Sequence, residues 1–172
     1  MSVSSINEIR QYLTFYLGEE VFAIDVANVR EILEFTTVTK VPNTPEYMRG
    51  VINLRGSVVP VLDMRQKFGM TSTEKTINTC IVVVEVVYEE EEIVVGALVD
   101  SVQEVFELEA ENIEPAPRIG THVKTEFIKG MGKKDEGFII ILDSAKVFSA
   151  EELTQIAEIE ANQSNKAMAS NE

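Results

Sequence analysis

The stretch Glu46–Phe68, EYMRGVINLRGSVVPVLDMRQKF, recurs 80 residues later at Glu126–Phe148 as EFIKGMGKKDEGFIIILDSAKVF. The two copies align without a gap. The identical pairs are Glu46/Glu126, Gly50/Gly130, Leu62/Leu142, Asp63/Asp143 and Phe68/Phe148. Upstream, Phe22–Phe35 aligns on Val95–Leu108 at an offset of 73. Valine-rich strands resemble one another by chance, but matched Gly and Asp are not generic strand residues. The simplest interpretation is two related lobes in tandem.

Runs of β-branched residues predict an all-β fold with minor α content, because the chain holds 22 Val and 16 Ile. The predicted strands are Gln11–Leu17, Val21–Asp25, Val29–Phe35, Thr37–Val41, Val51–Leu54, Ser57–Asp63, Asn78–Tyr88, Glu92–Val99, Val102–Leu108, Phe127–Met131 and Gly137–Leu142. Hairpin turns are expected at Gly18–Glu20, Arg55–Gly56 and Glu89–Glu91. Many short, closely spaced strands favour barrels or a sandwich.

Short helical pieces are expected between and after the strands. Pro45–Arg49 is predicted to form one helical turn that stops at Gly50. Asp63 and Asp143 are predicted to cap the turns that follow them. Ser149 and Glu152 have the spacing of a capping box, which predicts a C-terminal helix at 150–161.

Composition excludes several functions. The chain has 172 residues and a net charge of −14, so it would repel nucleic acid. One His and one Cys cannot build the usual zinc site or a disulfide. Cys80 is expected to be a small buried apolar residue, and His122 a solvated loop residue. The sequence predicts no catalytic residues, no metal and no cofactor.

Two further features of the sequence bear on metal binding and on location. Glu89–Glu92 lacks the alternating ligands and the Gly of a calcium loop, so a solvated hairpin tip is the better interpretation. No basic region followed by an apolar run precedes Arg10, and the apolar stretches are too short to span a bilayer. We therefore expect a cytoplasmic protein without membrane insertion.

Arg55 is the most distinctive candidate for binding. It occupies the tip of the tight turn Asn53–Gly56, and its repeat counterpart is Asp135, so the two lobes do not share it. A guanidinium at that place can bind a partner's carboxylate through two hydrogen bonds. It can equally form an ion pair with a Glu of the same chain.

The chain resembles the CheW family of bacterial chemotaxis coupling proteins over about residues 10–150. The matching segments are Tyr12–Glu20 (YLTFYLGEE), Phe22–Val26 (FAIDV), Val29–Ile32 (VREI), Val41–Pro45 (VPNTP), Gly50–Gly56 (GVINLRG), Val58–Arg65 (VVPVLDMR), Val95–Val102 (VGALVDSV) and Pro115–Pro117 (PAP). This ordered set is far more specific than a short motif.

The resemblance implies two tandem five-stranded SH3-like barrels, no enzymatic activity and a bridging role. In that family the adaptor joins the regulatory domain of the histidine kinase CheA to the cytoplasmic tip of chemoreceptors, in arrays at the inner face of the membrane. The expected boundaries are lobe one at 11–70, lobe two at 76–148 and the helix at 149–161. Residues 1–10 and 162–172 are expected to be flexible, and the isolated protein to be a monomer.

The resemblance also implies which residues bind. The receptor-binding residues would be Val29, Gly50, Arg55, Val95, Gly96 and Val102, and the kinase-binding residues Glu31, Ile32, Arg118 and Ile119. Gly50 and Gly96 would let a receptor helix approach an apolar groove closely. Each valine has the alternative of being buried core, and Glu31 that of a solvated strand residue.

Three alternatives remain. The first is a scaffold of the same fold in another kinase pathway. The second is a regulatory domain cut from a kinase or from an adaptor fused to a receiver domain. The third is an enzyme or small-ligand barrel with a pocket around Asp63, Asp143 or His122. Because 11 acids and no base lie between Lys75 and Arg118, partner binding is expected to depend on salt.

Overall fold

The computed structural model describes residues 9–88, 90–115, 125–134 and 137–147. The strands in this part of the chain are β1 Ile9–Leu17, β2 Glu20–Asp25, β3 Val29–Glu34, β4 Met48–Leu54, β5 Ser57–Asp63, β6 Cys80–Tyr88, β7 Glu91–Val99, β8 Ser101–Glu109, β9 Ile113–Glu114, β10 Ile128–Lys134 and β11 Gly137–Leu142. Two short helices follow the matched aspartates, α1 at Met64–Lys67 and α2 at Ser144–Val147. The prediction of an all-β fold with minor helix is confirmed.

The strands form two sheets of related order. One sheet has five strands in the order β3-β6-β7-β5-β4, and the other has six in the order β8-β1-β2-β11-β10-β9. Each sheet surrounds a core of its own. Ile52, Val61 and Leu98 belong to the core of the five-stranded sheet, and Tyr12 and Ile141 to that of the six-stranded sheet. These two separate cores agree with the predicted two lobes.

A third and larger core joins the two sheets. β6 shows why, since Ile81 and Val83 face the core of their own sheet while Val82 and Val84 face the shared core. Both faces of β6 are therefore buried, which explains its unbroken apolar sequence. Phe68, which follows α1, packs between Phe22 of β2, on which its ring stacks, and Phe127, the residue before β10. The lobes are thus held together by apolar packing.

The internal repeat is confirmed by strand pairing. β5 pairs in parallel with β7 at Val61 and Gly96, and β11 pairs in parallel with β2 at Ile141 and Ala23. These partners are related by the offsets of 80 and 73 found in the sequence. A bulge at Met48/Gly50 recurs at Ile128/Gly130. The main-chain bond from Asp63 N to Tyr47 O (2.6 Å) recurs from Asp143 N to Phe127 O (2.9 Å).

The expected lobe boundaries at 11–70 and 76–148 do not match the sheets. The five-stranded sheet uses residues 29–99, and the six-stranded sheet uses 9–25 together with 101–142. The β1–β2 hairpin of the first repeat pairs with strands of the second, and β6–β7 of the second pairs with strands of the first. Repeat similarity identifies strands that are alike, whereas pairing depends on which apolar faces meet.

Two local predictions are wrong. Thr37–Val41 is not a strand, because only Thr39 forms a bridge, with Val51. The bulge at Gly50 bends β4, and prolines 42 and 45 lack the N–H groups that a longer ladder needs. Pro45–Arg49 is not helical either. Its last two residues already begin β4, where pairing with β5 supplies their hydrogen bonds.

Other local predictions have mixed outcomes. Asp63 and Asp143 cap α1 and α2 as predicted, because their carboxylates accept main-chain N–H bonds from the residues that follow. Cys80 is half-buried rather than buried, since it is the first residue of β6, and its Sγ donates to Asn78 O at 3.2 Å. The predicted helix at 150–161 and His122 lie outside the described residues. No helix in the described part is long and apolar enough to cross a membrane.

Candidate functional site

The predicted tight turn places Arg55 at the end of the β4–β5 hairpin. Leu54 pairs with Ser57, so Arg55 and Gly56 form a two-residue turn. Both have positive φ, 51° and 88°. That combination is the type I′ turn, whose twist suits a hairpin. Asn53 stabilises it by accepting a bond from Gly56 N at 2.9 Å. The turn therefore has a defined geometry, and Arg55 projects from it.

The guanidinium of Arg55 forms a two-point ion pair with Glu31 on β3. Its Nη1 lies 2.6 Å from Oε2 of Glu31, and its Nη2 lies 3.2 Å from Oε1. β3 and β4 are the two outer strands of the five-stranded sheet, so the pair joins opposite edges of a curled sheet. Of the two alternatives left by the sequence, the intramolecular pair is present. The Arg55 side chain is nevertheless 75% exposed, against 20% for Glu31.

This pair connects residues that were predicted to bind different partners. Glu31 lies on β3, where burial alternates, and Ile32 beside it is 44% exposed. Arg30 and Glu34 are exposed on the same strand, and Arg30 pairs with Glu85. β3 thus presents an apolar side chain between charged ones. That arrangement suits a protein interface better than a small-molecule site.

Val29 and Val102 occupy equivalent places where the chain crosses between the sheets. Val29 begins β3 directly after β2 and its following turn, and Val102 is the second residue of β8 directly after β7. Both are half-buried and pack against the shared core. Of the predicted receptor valines, these two reach the surface beside the junction of the lobes.

Val95 and Gly96 are instead buried in β7. Val95 has no exposed surface. A Cβ at Gly96 would lie 2.8 Å from Cγ2 of Ile81 and 3.3 Å from Cγ2 of Val61. The space beside Gly96 is thus filled by the sheet's own core. The expectation that this glycine admits a receptor helix is wrong for the described structure.

Gly50 also serves the chain itself. Its φ of +147° is unfavourable for other residues, and a Cβ there would collide with the carbonyl group of Thr39. Gly50 therefore lets the segment around Thr39 cross β4 through its bridge to Val51. The face that was expected to receive a helix is already covered. Arg118 and Ile119, the remaining predicted kinase residues, lie outside the described residues.

Sequence reasoning missed a polar cluster between the sheets. Asp100, at the crossing from β7 to β8, accepts bonds from Gly18 N (2.6 Å) and from Nη1 of Arg65 (2.7 Å). Arg65 also donates to the Thr71 carbonyl (2.9 Å) and hydroxyl (3.1 Å). The cluster fixes the position of one lobe on the other. No spacing rule would have found it, because its members are 82 and 35 residues apart.

The predicted acidic region includes one perturbed carboxyl. The pKa of Glu109 is raised, chiefly by a hydrogen bond with Glu111 and by the repulsion between the two carboxylates. Glu109 is the half-buried last residue of β8, and Glu111, two residues later, is exposed. Within the described residues, no group of three or more His, Cys, Asp or Glu is arranged to hold a metal ion. The candidate site is the surface around Arg55, Glu31 and Ile32, whose charged and apolar side chains suit a protein partner.

Comparison with known proteins agrees with this interpretation. A family model described as "CheW-like domain" matches residues 11–152. The chain is 37% identical over 147 residues to the "Chemotaxis protein CheW" of Klebsiella aerogenes, covering 86% of each chain. It is 34% identical over 152 residues to the "Probable chemotaxis protein CheW" of Rhizobium etli, covering 88% of this chain and 96% of that one.

A solved structure shares the fold. It is described as the scaffolding protein TtCheW from Thermoanaerobacter tengcongensis, with 33% identity and a TM-score of 0.75. The match covers 84% of this chain and 91% of that chain. Family, relatives and fold therefore agree, and the chain belongs to the CheW-like family of non-enzymatic chemotaxis scaffold proteins.

Proposed function

We propose that this protein couples the cytoplasmic tip of a chemoreceptor to the regulatory domain of the histidine kinase CheA. The observation that carries the proposal is the exposed Arg55, fixed on a type I′ turn and paired to the β3 strand beside Ile32. Because consecutive strand residues point to opposite faces, Glu31 with Arg55 occupies one face of β3 and Ile32 the other, which gives one face to each partner. Because the relatives are chemotaxis proteins, we place the function in chemotaxis rather than in another kinase pathway.

The receptor side of the proposal centres on Arg55. A largely exposed guanidinium can exchange its intramolecular carboxylate for one on a receptor helix at small cost, because exposed ion pairs contribute little. Val29 and Val102 extend this side at the junction of the lobes. Gly50, Val95 and Gly96 contribute indirectly, by shaping β4 and β7 beneath the surface.

The kinase side of the proposal centres on β3. Ile32 supplies exposed apolar surface, and the exposed Arg30 and Glu34 supply the polar rim. Glu31 points to the other face of β3, where it holds Arg55. Arg118 and Ile119 belong to a second kinase contact that rests on the family resemblance alone. We further propose that the protein is cytoplasmic, monomeric when isolated, does not bind nucleic acid, and is recruited to receptor arrays at the inner face of the membrane.

The test is reconstitution with a receptor cytoplasmic fragment and CheA, followed by size-exclusion chromatography and affinity measurements. We expect a ternary complex whose association slows as salt increases. Arg55→Ala should weaken receptor binding about tenfold or more while kinase affinity is retained. Ile32→Ser should weaken kinase binding while receptor affinity is retained.

Lys133→Ala is the matched control for the charge. Lys133 is nearly as exposed as Arg55 and also pairs with a glutamate, Glu114, but it lies on the six-stranded sheet. We expect it to leave receptor affinity unchanged. Absence of any complex with the unmodified protein would refute the coupling function. A complex that neither Arg55→Ala nor Ile32→Ser weakens would refute the assignment of the surface.

A further inference from the structure

The turn that precedes β6 presents an isoleucine entirely to solvent. The side chain of Ile77 is 100% exposed, more than any other large apolar side chain in the described residues. Isoleucine is stiff and apolar, and it gains nothing from water at the tip of a turn. A single exposed apolar residue is ordinary, so the surroundings of Ile77 decide whether it is a binding residue.

The turn is held by hydrogen bonds from its two threonines. Thr79 N donates to Thr76 O (3.2 Å), and Thr76 N donates to Oγ1 of Thr79 (2.8 Å). Oγ1 of Thr76 accepts from Asn78 N (3.1 Å), and Oγ1 of Thr79 donates to Glu74 O (3.3 Å). Thr79 is itself buried. Ile77 is therefore presented by an ordered turn, which lowers the entropy lost when a partner binds.

The same turn is attached to the strand that carries the proposed kinase surface. Phe35 N, just after β3, donates to Thr79 O at 3.2 Å. The ammonium of Lys75 lies 5.4 Å from the centre of the Phe35 ring. β3 pairs with β6 from Glu34 opposite Cys80 to Val29 opposite Val84. Ile77 thus lies just beyond the end of the strand pair on which Ile32 is exposed.

We propose that Ile77 is an anchor residue of the kinase-binding surface and inserts into an apolar pocket of the kinase's regulatory domain. The inference rests on the proposed function and adds to it a residue outside β3. Continuity with β3 argues for this partner: the turn that carries Ile77 is hydrogen-bonded to Phe35, the residue after β3, and Ile32 is exposed on that strand between the charged Arg30 and Glu34. This is the pattern of an apolar anchor with a polar rim.

The test is to measure the affinity of the full-length protein for the CheA regulatory domain, with a receptor fragment as a second ligand. We expect Ile77→Ser to weaken kinase binding about tenfold, since truncating an anchor has effects of this size. Ile77→Val, which keeps the β-branched shape, should restore most of the affinity. Receptor affinity and thermal unfolding should not change, because the side chain makes no packing contact to lose.

Val87→Ser is the matched control. Val87 is 66% exposed near the far end of β6, beyond the residues that pair with β3, and the change likewise replaces an exposed β-branched apolar side chain with serine. We expect it to leave kinase affinity unchanged. If Ile77→Ser binds the kinase domain as tightly as the unmodified protein, or if Val87→Ser weakens binding equally, Ile77 is not an anchor, although the coupling function stands. If the unmodified protein does not bind the kinase domain, both proposals fall.

Discussion

Asp63 and Asp143 occupy the same position in the two repeats, yet their surroundings differ. Both cap a short helix through main-chain N–H groups. Asp63 is also fully buried and accepts three more bonds, from Thr73 N (2.8 Å), from Oγ1 of Thr73 (2.8 Å) and from Nη1 of Arg49 (3.1 Å). Asp143 is only half-buried, and the counterpart of Arg49 is the exposed Lys129. Both repeats thus share the aspartate cap of the short helix, while the buried hydrogen-bond network around the aspartate is found in the first repeat.

The largest expected effect comes from removing the two carboxylates separately. Asp63→Ala should lower the free energy of unfolding by about 3–5 kcal/mol, because it leaves Arg49 and Thr73 without their buried partner. Asp143→Ala should cost about 1 kcal/mol, the usual value for an N-cap. Urea unfolding of both variants measures the difference. Equal losses would show that the extra bonds of Asp63 contribute nothing.

Gly50 and Gly130 occupy the same position in the two repeats, and replacing each by alanine distinguishes backbone strain from side-chain crowding. Gly50→Ala should cost roughly 2–4 kcal/mol, because the residue has a φ of +147° and a Cβ would strike the main chain of Thr39. Gly130 has no positive φ, and a Cβ there meets Ile113 and Glu114 of the two-residue strand β9. Gly130→Ala should cost less, roughly 1–3 kcal/mol. Thermal unfolding gives the ranking, and the reverse order would contradict this explanation.

A smaller effect is expected at another matched pair, Met64 and Ser144. Both line a small apolar void between the sheets. Within the described residues, the buried hydroxyl of Ser144 has no hydrogen-bond partner. Ser144→Ala should therefore leave stability unchanged or raise it by about 1 kcal/mol, since it removes an unsatisfied polar group. A clear loss of stability in chemical unfolding would indicate that the hydroxyl is bonded.

The smallest effect concerns the acidic end of β8. Glu109 has a raised pKa in the folded protein, so its contribution to stability falls as pH rises from its ordinary pKa through the raised value. Glu111→Gln removes the repelling carboxylate and should return the pKa of Glu109 toward its ordinary value. An NMR titration of the Glu109 side chain follows this directly. An unchanged pKa would mean that Glu111 is not its cause.

Much of the fold could be predicted from sequence because its signals are local. β-branched runs, the Arg55–Gly56 turn and the aspartate caps each depend on neighbouring residues, and the repeat revealed strands that are alike. The exchange of hairpins between the repeats could not be predicted, since pairing joins residues 35 to 118 positions apart, such as Val61 with Gly96 and Phe22 with Ile140, and no local pattern encodes such contacts. The same limit applies to Thr37–Val41, whose strand-like sequence is overridden by the bulge at Gly50.

For the candidate site too, local features could be predicted from the sequence and distant contacts could not. The turn geometry around Arg55 was predictable from four residues. An ion pair with a Glu of the same chain was one of two alternatives, and nothing in the sequence identified that residue as Glu31, 24 residues away on the opposite edge of the sheet. Burial of Val95 and Gly96 could not be predicted, because β7 is apolar on both faces. Ile77 carried no sequence signal. A single isoleucine among threonines becomes notable only when the turn is seen to expose it.

We propose that Arg55 itself, and not merely its ion pair with Glu31, binds the receptor. The most direct measurement is the receptor affinity of Arg55→Glu and of the charge exchange Glu31→Arg/Arg55→Glu. The exchange restores an ion pair between β3 and the turn, so stability in urea should return to that of the unmodified protein. We predict that its receptor affinity stays at least about tenfold weaker. Full recovery of receptor binding in the exchanged protein would contradict the claim.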